Sequence, residues 1–184
     1  MNEILCNTKY LQLKSTKSKN GNSWVYAHRP NAKDIVIILP TTDEEVLFII
    51  EERPPIVAEG LGQYTIGLAA GLVGDERENE TVEDAIRAEL LEETGLITDK
   101  IEIKTRKLVS SPGCVTEVCT LAFAYINNKK PISPPIDDGG VIVDRIWIKK
   151  SKIKSWIAEK ESQGYTISAH CLATLFYLNL EELK

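Results

Sequence analysis

The chain carries no surplus of positive charge: 22 Lys and Arg stand against 27 Asp and Glu, for a formal net charge of -5. That argues against a general nucleic-acid binder, which needs spare cations to neutralise phosphates. No apolar run approaches the length of a membrane span, and the N-terminus lacks a signal-peptide pattern. A cytoplasmic protein without a membrane partner is therefore expected. Cys6, Cys114, Cys119 and Cys171 are scattered and form no Cys-x-x-Cys pair, which points to reduced thiols. Cys114 and Cys119 flank a candidate site strand and read as small apolar residues. There is no internal repeat and no low-complexity segment. The 184 residues suit one domain with one core.

What the chain does have is a distinctive stretch from Gly71 to Leu96. It reads as a loop, one helix and a glycine stop. Thr81 is the expected N-cap, with Asp84 as the acid of a capping box. Gly95 stands where a left-handed C-cap belongs. At about 100° per residue, Val82, Ala85, Ile86 and Leu90 form one apolar stripe. Glu89 and Glu93 continue that stripe, and Glu92 lies at its edge. Buried carboxylates are costly without partners, and like charges three or four residues apart on a helix repel. A divalent cation resolves both problems. Hard oxygen ligands favour Mg2+ or Mn2+ over zinc. A solvated acidic face would instead oppose the apolar stripe.

The spacing of Gly74, Glu80, Glu89, Leu90, Glu92, Glu93, Gly95 and Leu96 resembles the Nudix box. One position departs from it: the arginine before the first helix glutamate is Ala88. Arg87 is adjacent but rotated by about 100° around the helix, so it cannot simply substitute. The resemblance implies an α/β Nudix fold, a mixed β-sheet sandwiched between helices. It would form a single domain, with residues 1–33 as an N-terminal β-hairpin used for dimerisation and residues 34–184 as the catalytic core.

Read in order, Tyr10–Leu13 and Trp24–Arg29 are the expected strands of the hairpin, joined by an Asn20-Gly21 turn. Strands are expected at 34–40, 45–51, 64–69, 101–108, 116–125 and 141–148. Arg53-Pro54-Pro55 ends the second of these and opens a loop through Gly62. Ser111-Pro112-Gly113 is a turn, and 127–140 is a long loop of the kind that often carries function. Ser151 is placed as the cap of a short helix ending near Gly164. A C-terminal helix over 168–183 would turn Ala169, Leu172, Phe176, Leu180 and Leu183 inward.

Trp24 with Arg29, then Arg53-Pro54-Pro55, then Ala70-Gly71-Leu72 resemble the ADP-ribose pyrophosphatase branch, in order and rough spacing. That resemblance implies substrate binding by Trp24, Arg29, Arg53, Ala70 and Leu72. Trp24 would stack on the base, and Arg29 and Arg53 would pair with the diphosphate. The metal would be held by the Ala70 carbonyl with Glu89, Glu92 and Glu93, which are also the implied catalytic carboxylates. The substrate would be a small nucleoside diphosphate compound, and the reaction ADP-ribose plus water giving AMP and ribose 5-phosphate. The implied assembly is a homodimer. The chain departs at Gly67 and Ala69, where the branch usually has glutamate and proline. Ala88 is the third departure. The fourth lies in the loop before the last strand, where Gly140 or Val141 replaces a catalytic glutamate. Asp138, beside Asp137, and Glu117 are the candidates for that role, with turn and surface roles as their alternatives. Gly71 and Gly74 compete as the first glycine of the box. The rival reading is a catalytically weak Nudix-fold nucleotide-binding or sensor protein, or a hydrolase of another nucleotide sugar.

Overall fold

The computed structural model of the chain describes residues 2–31, 33–74, 79–136 and 141–182. Strands β1 (Glu3–Asn7), β2 (Gln12–Lys17) and β3 (Ser23–His28) form a separate antiparallel sheet in that order. The expected hairpin is β2–β3. Its turn places Gly21 at φ +85°, a left-handed conformation that costs glycine little. The first hairpin strand lies further along than Tyr10–Leu13. β1 adds a third strand, exposed along its whole length, that carried no alternating pattern to announce it.

The larger sheet is built around β4 (Asp34–Thr41) and β5 (Glu45–Glu51). They pair only at Thr41 and Val46, beside their connecting turn, and then separate. The short helix α1 (Pro54–Ala58) follows β5, where the sequence suggested only loop. Its prolines sit at the first helical positions, where a fixed φ favours the turn and no N–H is lost. The wedge between the two splayed strands is filled by β6 (Thr65–Gly67) on β5 and β7 (Ala69–Val73) on β4. The single strand expected over 64–69 is thus broken at Leu68, because the chain changes partners there.

Helix α2 (Val82–Thr94) comes next, followed by β8 (Lys100–Val109), β9 (Val118–Tyr125) and β10 (Ile142–Lys149). β9 pairs parallel with β4 and antiparallel with β8, while β10 covers the outer edge of β5. A 3-10 turn (Lys150–Lys152) leads into α3 (Ile153–Ser162), then β11 (Thr166–Ile167) and α4 (Ala169–Glu182). Ser151 lies inside the 3-10 turn and does not cap α3, whose N-cap position is Lys152 with no side-chain cap bond. β11 pairs parallel with β6, so the sheet is mixed.

Period-2 alternation distributes the core over both faces. Ile37, Leu39, Val46, Phe48, Ile50, Leu121 and Phe123 face α3 and α4. Val36, Ile38, Leu47, Ile49, Ala122 and Ala124 face α2, meeting Ala85, Ile86 and Leu90. Two alanines under α2 keep that helix close to the sheet. The inner face of α4 is Cys171, Thr174, Leu175 and Leu178. This corrects the expected stripe: Leu172 and Phe176 are 49% and 58% exposed. The helix is rotated so that small Cys171 and Thr174 allow a close approach to the sheet. Ala169 is exposed as well, while the side chain of Leu180 and all of Leu183 lie outside the described residues. Among the described residues no helix is long and apolar enough to cross a membrane.

Candidate functional site

Helix α2 is held at both ends. Asp84 N–H donates to Thr81 Oγ1 at 3.1 Å, and Thr81 N–H donates to Asp84 Oδ2 at 3.3 Å. Gly95 takes φ +70° and donates to the Leu91 carbonyl at 2.8 Å. A Cβ at Gly95 would collide with the Ser133 carbonyl, so the long loop after β9 packs directly on the C-cap. Ile132 N–H and Ile136 N–H donate to the carbonyls of Gly95 and Glu92, each at 2.8 Å. Arg145, on β10, donates through Nε to the Glu93 carbonyl. The last turn of the helix thereby gains partners for its free carbonyls and a cation at its negative end.

The end of α2 lies over β7, where the backbone carries little or no side chain. Ala70 N–H donates to Glu93 Oε2 at 3.0 Å. The Glu89 carboxylate occupies the space a Cβ at Gly71 would take. Gly74 N–H donates to Glu80 Oε2 at 3.0 Å, with Gly74 at φ +81°. Gly74 is thus the glycine that holds Glu80, whereas Gly71 is the seat of Glu89. Upstream on β6, the Glu51 carboxylate abuts Gly67. One strip of backbone from Gly67 to Gly74 therefore receives Glu51, Glu93, Glu89 and Glu80 in turn.

A second cluster forms where the N-terminal sheet meets the loop before β9. Ala27 and the 114–116 segment exchange backbone hydrogen bonds, from Ala27 N–H to the Cys114 carbonyl (2.7 Å) and from Thr116 N–H to the Ala27 carbonyl (3.2 Å). Trp24 Nε1–H donates to the Gly113 carbonyl at 2.6 Å, yet the ring stays half exposed. Arg29 Nε donates to Glu117 Oε1 at 3.1 Å. His28 Nδ1 lies 2.8 Å from Thr116 Oγ1. Lys33 lines a small cavity with Arg29, Asp34 and Glu117, and its side chain also reaches Gly74. Lys33 thus links this cluster to the start of the box.

Of the residues singled out from sequence, Glu89, Glu93 and Ala70 are brought together. Glu92 is partly buried at the edge, beside a hollow of about 500 Å3 lined also by Glu80, Arg87 and Ala88. That hollow lies where an arginine at position 88 would project. Arg87 turns away and donates to the Thr98 carbonyl. Leu72 alternates with Gly71, so its side chain lies on the opposite sheet face from Glu89. Arg53 pairs with Glu51, and Trp24, Arg29 and Glu117 belong to the second cluster. Asp137 and Asp138 lie outside the described residues. Another hollow, of about 920 Å3, opens at the far ends of β4 and β9 among Thr41, Glu45, Lys100 and Lys129. It shares no residue with these carboxylates. Sequence reading missed Glu51, Lys33 and Arg145. Glu51 had one signal, an acid ending an otherwise apolar strand. Arg145 had none, because its partner is a backbone carbonyl 52 residues away.

Magnesium is the metal that the resemblance implies, and the donors suit it: hard carboxylate oxygens beside a backbone strand. Among the described residues no group of three or more His, Cys, Asp or Glu side chains is placed to hold a metal ion. Mg2+ does not need one, since it keeps several waters and commonly takes one or two carboxylates plus substrate phosphates. An open pair seated on side-chain-free backbone, with Gly71 leaving room for Glu89, fits that habit. Mn2+ shares the oxygen preference.

No family model matches the chain, and no curated protein sequence matches it. Its fold is similar to that of a solved structure described as the crystal structure of ADP compounds hydrolase. The TM-score is 0.72, over 97% of this chain and 90% of that one, at 19% sequence identity. This likeness shows the fold: a mixed α/β fold of the Nudix type, with an N-terminal antiparallel hairpin region, as the box had led us to expect.

Proposed function

We propose that the chain is a magnesium-dependent hydrolase of a nucleoside diphosphate linked to a small group, with ADP-ribose as the first candidate. The observation that carries this reading is the seating of Glu89 and Glu93 on the Ala70–Gly71 backbone. Two carboxylates of one helix turn are aimed at the same strip, an arrangement that suits a divalent cation with hard oxygen ligands. The solved ADP compounds hydrolase of the same fold agrees with this choice of substrate class.

In this reading Glu89, Glu92, Glu93 and the Ala70 carbonyl hold the metal. When bound, magnesium would offset the diphosphate charge and make its bound water more acidic. Arg53 and Arg29 bind phosphate oxygens, Trp24 stacks on the base, and Ala70 and Leu72 belong to the substrate-binding strand. Water adds to one phosphorus while the bridging P–O bond breaks, giving AMP and ribose 5-phosphate. Glu117 and Asp138 are the candidates to take the proton from that water. Glu117 is held by Arg29, so as base it would have to release or share that partner.

A second reading is favoured by the hollow beside Ala88. A site that lacks the arginine of the box there holds its glutamates less firmly, and would suit a protein that binds the nucleotide with little turnover. A panel of nucleoside diphosphate compounds, assayed with magnesium for released phosphomonoester, separates the two. Turnover of at least one compound supports the hydrolase. Tight binding without release of phosphomonoester supports the sensor.

A further inference from the structure

Position 67 has no side chain, and a carboxylate from the neighbouring strand takes its place. A Cβ at Gly67 would lie 2.9 Å from Glu51 Oε2. The β5–β6 register pairs Ile49 with Gly67 and Glu51 with Thr65, so Glu51 and Gly67 share the sheet face that α2 covers. Glu51 is 4% exposed. A carboxylate buried to that degree needs a partner. Arg53 provides it side-on, with Nε 3.0 Å from Oε2 and a terminal nitrogen 2.5 Å from Oε1. The Arg53 side chain is itself 47% exposed. The inner edge of the guanidinium is therefore seated on Glu51 while its outer edge faces solvent. Two of its five N–H donors are engaged in this pair.

We propose that Glu51 is a positioning residue for Arg53, and that Gly67 serves to leave room for the Glu51 carboxylate. The pair presents the outer edge of the guanidinium to a diphosphate in a fixed orientation. A free arginine would lose rotamer freedom on binding, whereas a seated one has already lost it. The inference rests on the functional reading above, which takes Arg53 as a phosphate ligand.

Three variants test it. Glu51→Gln removes the charge at nearly constant shape. Gly67→Ala keeps the carboxylate but pushes it, and φ at this glycine is not in the left-handed region, so alanine meets no backbone strain. Glu51→Ala with Gly67→Glu returns a carboxylate from the opposite strand. The readouts are kcat and KM for ADP-ribose with magnesium, calorimetric binding of inorganic diphosphate with magnesium, and the Arg53 Nε–H signal in 15N NMR. In Glu51→Gln and Gly67→Ala, KM should rise and diphosphate binding weaken by about tenfold. kcat should stay within about threefold, since the pair acts on binding. The Nε–H signal should exchange faster. The swapped double variant should regain most of the lost affinity and the slow Nε–H signal. If Glu51→Gln does not fold, Gly67→Ala carries the test alone. Unchanged diphosphate affinity in Gly67→Ala and in folded Glu51→Gln, alongside a loss in Arg53→Ala, would overturn the positioning role and leave the functional reading intact. A wild-type protein that neither binds diphosphate nor turns over any compound overturns the functional reading and this inference with it. In that case a persistent Nε–H signal marks a purely structural pair.

Discussion

The carboxylate of Glu89 fills the place of a side chain at Gly71. The two positions lie eighteen residues apart and meet because β7 runs in the wedge between β4 and β5, directly beneath α2. The absence of a side chain at Gly71 is therefore as much part of the site as the acid. Gly71→Ala should displace Glu89, lowering stability by about 1–3 kcal/mol through overpacking and lowering turnover as severely as loss of the acid. Urea denaturation and the phosphomonoester assay check both effects. A variant with unchanged midpoint and activity would show that Glu89 needs no such seat.

Glu89→Gln and Glu93→Gln should each lower turnover by orders of magnitude while the fold survives. Glutamine keeps the shape and can still accept from Ala70 N–H, but it removes the charge that a divalent cation requires. Circular dichroism reports the fold, and the assay is run at saturating magnesium. Near wild-type activity in either variant would remove that residue from the metal site.

Ala88 and Arg145 make a linked prediction. The hollow beside Ala88 has room for a long side chain next to Glu80 and Glu92. Ala88→Arg should raise turnover or magnesium affinity. Arg145 secures the same helix from its C-terminal end through the Glu93 carbonyl. Arg145→Gln should weaken magnesium binding by about tenfold, and combining it with Ala88→Arg should recover part of that loss. Calorimetric titration with magnesium reads each step. If Arg145→Gln leaves magnesium affinity untouched, its contact with Glu93 serves stability alone.

Local chemistry explains which features were legible in the sequence. Thr81, Asp84 and Gly95 define α2 through interactions within four residues, and each does what its spacing implies. The apolar runs of β4, β5 and β9 read as strands because they are buried on both faces. The break at Leu68 was not readable, because it depends on where β4 and β5 part company. The rotation of α4 was also hidden. An apolar stripe of Leu172 and Phe176 competes with one of Cys171, Leu175 and Leu178, and only the space over the sheet decides between them. In the site, acids at helical spacing were visible, while the approach of Glu51 to Gly67 on the next strand and the reach of Arg145 from β10 to α2 could be found only in three dimensions.

The thiols and His170 give a check independent of function. Burial pushes the Cys119 thiol up to about 11 and the Cys171 thiol up to about 12, whereas Cys6 and Cys114 are exposed. A maleimide at pH 8 should label two thiols quickly and the other two only on unfolding. Cys119 Sγ lies 3.4 Å from His170 Nε2, and burial holds His170 below its usual value against a smaller opposing effect of Glu117. Below the unfolded histidine value, about 6.5, the unfolded chain binds a proton that the folded chain resists. Stability should therefore decline as pH falls from that value toward the lower folded one. His170→Gln should flatten that part of the urea midpoint against pH. Four fast thiols, or an unchanged slope in His170→Gln, would contradict the buried arrangement.

The N-terminal sheet leads to the last prediction, a homodimer whose subunits share their sites. The sheet and its β1–β2 connection expose Ile4, Leu5, Tyr10, Leu11, Leu13, Trp24 and Val25, each by at least 41%. Apolar surface gathered on a small sheet usually meets a partner, and a second copy presents the same surface to its twin. Trp24 Nε1–H is held by the Gly113 carbonyl of its own chain and the ring is half exposed, which leaves ring surface for a base bound to the other subunit. Arg53 and α2 would then act within one subunit and Trp24 across the interface. Leu5→Lys with Leu13→Lys should give a folded monomer by sedimentation, with raised KM. Trp24→Ala and Glu93→Gln homodimers should each be nearly inactive. Refolded together, they form heterodimers in which one site combines an intact Trp24 with an intact Glu93. Partial recovery of activity supports sharing across the interface. No recovery in proven heterodimers would place Trp24 and Glu93 in the same subunit's site. A monomeric mass for the wild type at micromolar concentration would leave the exposed sheet without the partner proposed for it.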